Sequence, residues 1–91
     1  MLGIVDKQPV EILDYDVDFS RWLEVDTIQS ATVQISPAGS LAVQATDVDL
    51  TYVKVWLSGG TSGVNYKVEV TIDTNVGRRA QVEFRVRVKE R

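Results

Sequence analysis

Asp14, Asp16 and Asp18 stand at alternate positions, the spacing that opens a calcium-binding loop. Such a loop also needs a glycine at its sixth position and a bidentate glutamate at its twelfth. Those positions hold Phe19 and Val25, so the run is not an EF-hand. Alternate residues of a strand share one face, and a row of solvated acids is the plainer reading. Ser58-Gly59-Gly60-Thr61-Ser62-Gly63 is glycine-rich, but it has no lysine and a strand pattern follows it, which argues against a phosphate-binding loop. It reads as a flexible inter-strand connection, or else as a mobile contact loop. Trp22 and Trp56 have the chemistry of a sugar-binding surface, yet in a domain this small both are expected to be core or packing residues.

The chain has no histidine and no cysteine. Lack of histidine removes the commonest general base and the commonest zinc ligand. Lack of cysteine excludes disulfides and thiolate metal sites. Carboxylate or lysine catalysis is left, and no pattern singles it out, so no enzyme, metal or cofactor is expected. A net charge of −3 disfavours nucleic acid as the main partner. No stretch approaches the ~18 apolar residues of a membrane span. Residues 1–6 lack the basic and apolar regions of a signal peptide. The expectation is a soluble protein, made in the cytoplasm of its host cell, with no membrane partner.

The candidate residues must be held by strands. Val64, Tyr66, Val68, Val70 and Ile72 alternate with polar residues, as do Ala80, Val82, Phe84, Val86 and Val88. A period of two on both arms marks a long hairpin with one dry face and one wet face. Asn75 and Gly77 in its linker suit positive φ and tight turning. Tyr66, Val68, Val70, Val82, Phe84 and Val86 are therefore expected to point inward. Upstream, the pattern gives strands over residues 11–17, 27–36, 41–45 and 51–57, with a bend at 47–49. In the last of these, Val53, Val55 and Leu57 oppose Tyr52, Lys54 and Trp56. Residues 18–23 read as irregular or as one helical turn, with Phe19, Trp22 and Leu23 on one face. The 91 residues suit one domain. The expected fold is all-β: an antiparallel sandwich of six to eight strands over residues 11–91, after a loosely ordered lead-in over 1–10. An open barrel is the alternative.

Charge is unevenly spread. Residues 1–26 carry seven acids against two bases, and residues 78–91 carry six bases against two acids. The basic face of the last strand holds Arg79, Arg85, Arg87 and Lys89. It is either a contact for another protein or the neighbour of the acidic first strand, where opposite charges would contribute ~0.2–1 kcal/mol per pair.

Several segments, in order, resemble a known family. They are Asp6-Lys7-Gln8-Pro9-Val10-Glu11, Leu13-Asp14-Tyr15, Asp18-Phe19-Ser20-Arg21-Trp22-Leu23 and Asp26-Thr27-Ile28. Val55-Trp56-Leu57-Ser58-Gly59-Gly60-Thr61-Ser62-Gly63, Tyr66-Lys67-Val68, Thr74-Asn75-Val76-Gly77-Arg78 and Arg85-Val86-Arg87-Val88 complete the set. Together they cover nearly the whole chain and resemble small tailed-bacteriophage virion structural proteins of the fiber-tail adaptor type. Phe19 stands where tryptophan is commoner in that family, and Arg79-Ala80-Gln81-Val82 lacks the acidic run expected after Gly-Arg.

The resemblance implies an immunoglobulin-like sandwich that serves as a structural or adaptor piece of a phage or prophage virion. Its partners would be other virion proteins of the tail, connector or fiber, or further copies of itself in the assembled particle. The candidate contact residues are Asp18, Arg21 and Trp22, then Gly59, Gly60 and Thr61, then Arg78 and Arg79 at the hairpin tip. Replacing Arg78 and Arg79 by glutamate is expected to weaken such a contact and spare the fold. The alternative is a surface adhesion sandwich that binds carbohydrate or calcium through Trp22, Trp56, Asp14, Asp16 and Asp18.

Overall fold

Burial follows the alternation along the long hairpin. In a computed structural model that describes residues 3–90, Tyr66, Val68, Val70 and Ile72 are buried on one arm, and Phe84, Val86 and Val88 on the other. Val82 keeps the same phase but is half-buried, packed against the core. The arms are β6 (Asn65–Thr74) and β7 (Arg79–Val88), paired antiparallel with Val68 opposite Phe84. Gly77, at φ 92°, supplies the left-handed residue that the turn needs.

The other elements are β1 (Ile4–Lys7), β2 (Leu13–Asp18), the single turn α1 (Ser20–Leu23), β3 (Ile28–Ser36), β4 (Ala42–Val48) and β5 (Tyr52–Ser58). Seven strands form two sheets, ordered β1-β7-β6-β3 and β2-β5-β4. The sheets face each other across one core, to which β5 gives Val53, Val55 and Leu57. Tyr15 of β2 meets Phe84 of β7 across that core, with ring centroids 5.7 Å apart. The result is the expected all-β, two-sheet sandwich.

Four features depart from the expectations. First, residues 4–7 of the supposedly loose lead-in form β1, while residues 1 and 2 lie outside the described residues. Val5 packs on the core, and β1 is fastened by Arg85 N–H to Gly3 O (2.9 Å) and Lys89 N–H to Lys7 O (3.0 Å). This strand runs parallel to β7, because the whole intervening chain serves as the crossover. Second, β4 continues to Val48 through the expected bend, after a register shift between Val43 and Ala45. A similar shift between Ile28 and Ser30 lets Ile28, Val33 and Ile35 all turn inward despite their mixed spacing.

Third, the acidic strand β2 does not lie beside β7. It pairs with β5 in the other sheet, where Lys54 Nζ stands 3.4 Å from Asp14 and 3.7 Å from Asp16. β7 instead pairs its charges with Asp6 of β1 (Arg87, 2.8 Å) and Asp73 of β6 (Arg79, 2.6 Å). Fourth, of the core or packing places expected for the tryptophans, neither takes the core. Trp56 shares the outer face with Lys54 and donates to Asp47 at 3.3 Å. Phe19 and Leu23, at i and i+4, take the inward side of the α1 turn and leave Trp22 39 % exposed.

Candidate partner-contact end

The β2–α1 junction is built on Asp18. Its carboxylate accepts the Ser20 N–H at 2.8 Å, and this hydrogen bond holds its pKa below the ordinary carboxylate value. The chain then folds Phe19 and Leu23 into the core and turns Arg21 and Trp22 outward. A cleft of about 450 Å³ separates Arg21 and Trp22 from Gln81 and Val82 of β7.

Beside it stands Arg78, at the start of the returning arm. Its Nε and Nη2 both donate to Asp26 Oδ2, at 3.2 and 3.1 Å, and Nη2 also donates to Leu23 O at 3.1 Å. The guanidinium carbon lies 4.2 Å from the centroid of the Trp22 ring. This is cation–π geometry, and it fixes the tryptophan from its inner side. Asp26 is 7 % exposed. Burial pushes its pKa up, but hydrogen bonds from the Thr74 hydroxyl, the Thr27 amide and Arg78 outweigh that and hold it below the ordinary value. Arg78 is therefore spoken for inside the molecule. A glutamate there would set a second carboxylate against Asp26, so the expectation that Arg78 can be reversed without harm to the fold is corrected.

Apolar side chains gather at this same end. Val25 is fully exposed, Val76 is 72 % exposed and Leu50 is 62 % exposed. Val25 and Val76 border one depression with Asp26 and Arg78, and Leu50 O accepts the Ile28 N–H beside it. The local pattern warns only weakly of these residues, since each is a lone apolar residue in a polar turn.

Gly59, Gly60 and Thr61 are at the opposite end of the sandwich. Their loop is fastened, contrary to the flexible connection expected. Lys7 is fully buried, and its ammonium donates to Gly59 O at 2.6 Å and Gln8 O at 2.9 Å. Desolvation draws the Lys7 pKa down, partly offset by the Glu11 charge. Thr61 N–H donates to the Tyr66 hydroxyl at 3.1 Å, and Gly63 N–H to Val88 O at 2.8 Å. A side chain at Gly60 would press on Val88, with Cβ 2.8 Å from its Cγ2. So the structure brings Asp18, Arg21, Trp22 and Arg78 together and leaves Gly59, Gly60 and Thr61 apart. Arg79 lies next to Arg78 in sequence but turns to Asp73 on the outer face of the sheet.

The acids of the calcium reading do not converge. Lys54 lies between Asp14 and Asp16, and Asp18 is turned to Ser20. Among the described residues no group of three or more carboxylates could hold a metal ion. Trp22 and Trp56 pack on different elements and share no platform.

The family described as podophage GP4 fiber-tail adaptor protein gp77 matches residues 7–87 of the 91. The chain belongs to this family. A search of curated proteins finds no match. The matched span runs from buried Lys7, the last residue of β1, to Arg87, so it takes in β2 to β6 and nearly all of β7 and leaves out Ile4, Val5 and Asp6. Two of the segments that carried the resemblance to fiber-tail adaptors meet in space. Asp26-Thr27 and Thr74-Asn75 are joined by Asn75 N–H to Thr27 O (3.0 Å) and Asn75 Nδ2 to Thr27 Oγ1 (2.7 Å), and Arg78 closes on Asp26. In this fiber-tail adaptor the two motifs make one buttress beneath the Trp22 end.

Proposed function

We propose that this chain is a non-enzymatic structural adaptor of a tailed-phage or prophage virion, and that it docks on neighbouring tail, connector or fiber proteins through the Trp22–Arg78 end. The observation that carries the assignment of this end is the grouping of Trp22, Val25, Leu50 and Val76 as exposed apolar side chains around a buried polar buttress. Exposed apolar clusters rimmed by polar groups are a mark of protein interfaces, and a pre-ordered aromatic reduces the ordering cost of docking. Membership of the fiber-tail adaptor family supplies the class of partner. The strand neighbours β2-β5-β4 and β7-β6-β3 are those of the B-E-D and G-F-C sheets of an immunoglobulin-type sandwich, which supports that finer reading of the fold.

The test is a pull-down with the tagged domain from phage-infected or prophage-induced lysate, read by mass spectrometry. Tail, connector or fiber proteins should be recovered by the wild type and lost with Trp22→Ser and with Val25→Asp. Val25→Asp should melt like the wild type, since Val25 projects fully into solvent, and Trp22→Ser should stay folded with a melting temperature lowered only by the loss of its contact with Arg78. Recovery of glycan alone, or full recovery of the same virion proteins by both variants, would reject the proposal.

A further inference from the structure

The charge-bearing residues of this chain avoid one continuous segment. Residues 27–46 contain no Asp, Glu, Lys or Arg, although the full chain has thirteen acids and ten bases. In the fold this segment supplies all of β3 and most of β4, the edge strands that lie against each other on one side of the sandwich. β3 pairs with β6 on its inner side. Among the described residues, the backbone of residues 30–36 makes no hydrogen bond on its other side. Its outward side chains, Ser30, Thr32, Gln34 and Ser36, are exposed, short or uncharged.

Soluble sandwiches normally guard such an edge with lysine, proline or an inward charge. Here the register shift at Ile28–Ser30 and Pro37 just past the strand bound the edge, and the seven regular residues between them stay open. The other edges are different. β1 has four residues and ends in Asp6 and Lys7, and β2 carries Asp14, Asp16 and Asp18. β4 has only four regular residues after the shift at Val43–Ala45, and Asp47 is one of them.

We infer that β3 is a self-pairing edge, and that two copies of this chain join their β3 strands antiparallel to make one eight-stranded sheet. A two-fold pair sets a strand against its own sequence, so an edge carrying charges of one sign would repel its copy. A strand that receives a foreign segment is under no such constraint and can use charge for selectivity. An edge without charge carries no such repulsion and can pair with its own copy. With the two-fold axis at Val33, Thr32 faces Gln34 and Ser30 faces Ser36, all able to hydrogen-bond across the junction. The Trp22–Arg78 ends of the two copies then point in opposite directions, so the dimer is a two-ended connector. This inference is independent of which protein the Trp22 end binds.

Sedimentation equilibrium of the purified chain tests it. At about 100 μM the wild type should be mostly dimer, as a Kd in the micromolar range requires. The double variant Thr32→Lys/Gln34→Lys should be monomeric, and so should Thr32→Glu/Gln34→Glu. An equimolar mixture of the two should regain the dimer, which a merely structural defect would not produce. As a readout that needs no variant, amide exchange across residues 30–36 should slow as the wild-type concentration rises. A wild type that stays monomeric at that concentration, a mixture that stays monomeric, or exchange independent of concentration would overturn the inference.

Discussion

Phe84→Ala tests the inward face of β7 most directly. Phe84 is 2 % exposed, opposite Val68 on β6 and against the Tyr15 ring from the other sheet. Truncation removes an aromatic ring from the space between the sheets. That space cannot close easily, because β7 is hydrogen-bonded to β1 on one side and β6 on the other. Phe→Ala changes in such cores cost ~3–5 kcal/mol, and limited relaxation places this one toward the upper half. A domain of this size has roughly 5–14 kcal/mol of stability in all. The variant should therefore lose a large share of it and melt roughly 15–30 °C lower. Urea unfolding of wild type and variant gives the difference, with Val82→Ala as an internal comparison. Val82 has the same phase but is only half-buried, so its loss should cost about 1 kcal/mol. A Phe84→Ala cost below ~1 kcal/mol would refute the reasoning, because a one-residue slip of β7 would put Phe84 on the wet face.

Gly59→Ala should destabilise by ~1–3 kcal/mol, since residue 59 has φ 75° and a Cβ there would collide with the Ser40 carbonyl oxygen; a change within 0.5 kcal/mol in urea unfolding would show instead that the loop yields freely. Asp26 should contribute to acid sensitivity. Its folded pKa lies below the unfolded value, so its stabilising contribution is complete above the ordinary carboxylate range and is lost as pH falls through the folded pKa. Stability measured from pH 7 downward should fall less steeply in Asp26→Asn than in the wild type, and parallel curves would exclude Asp26 as a contributor.

Much of the fold was legible because β-sheet alternation is a local property. The phase of β5, β6 and β7 can be read from neighbouring residues, and the structure keeps that phase. β3 and β4 were harder, since each contains a register shift that breaks the period of two. β1 was missed because four residues containing Asp6 and Lys7 carry no alternation signal of their own. They become a strand only against β7, more than seventy positions away. Within the candidate site, Arg21 and Trp22 were recognisable as a distinct segment, but Val25, Leu50 and Val76 come from three separate turns and nothing local links them.

The sequence by itself determined the class: an all-β domain with an alternating hairpin, no His or Cys chemistry, and family motifs in order along the chain. Those follow from composition and near-neighbour spacing. The tertiary structure alone decided which charges meet. Asp26 and Arg78 are 52 positions apart, as are Lys7 and Gly59, yet each pair is in direct contact at the two ends of the sandwich. It also decided that the acids of β2 answer to Lys54 and not to the arginines of β7. The physical reason is that electrostatic and hydrogen-bond partners are set by sheet order, and sheet order depends on long-range strand pairing that no local pattern encodes.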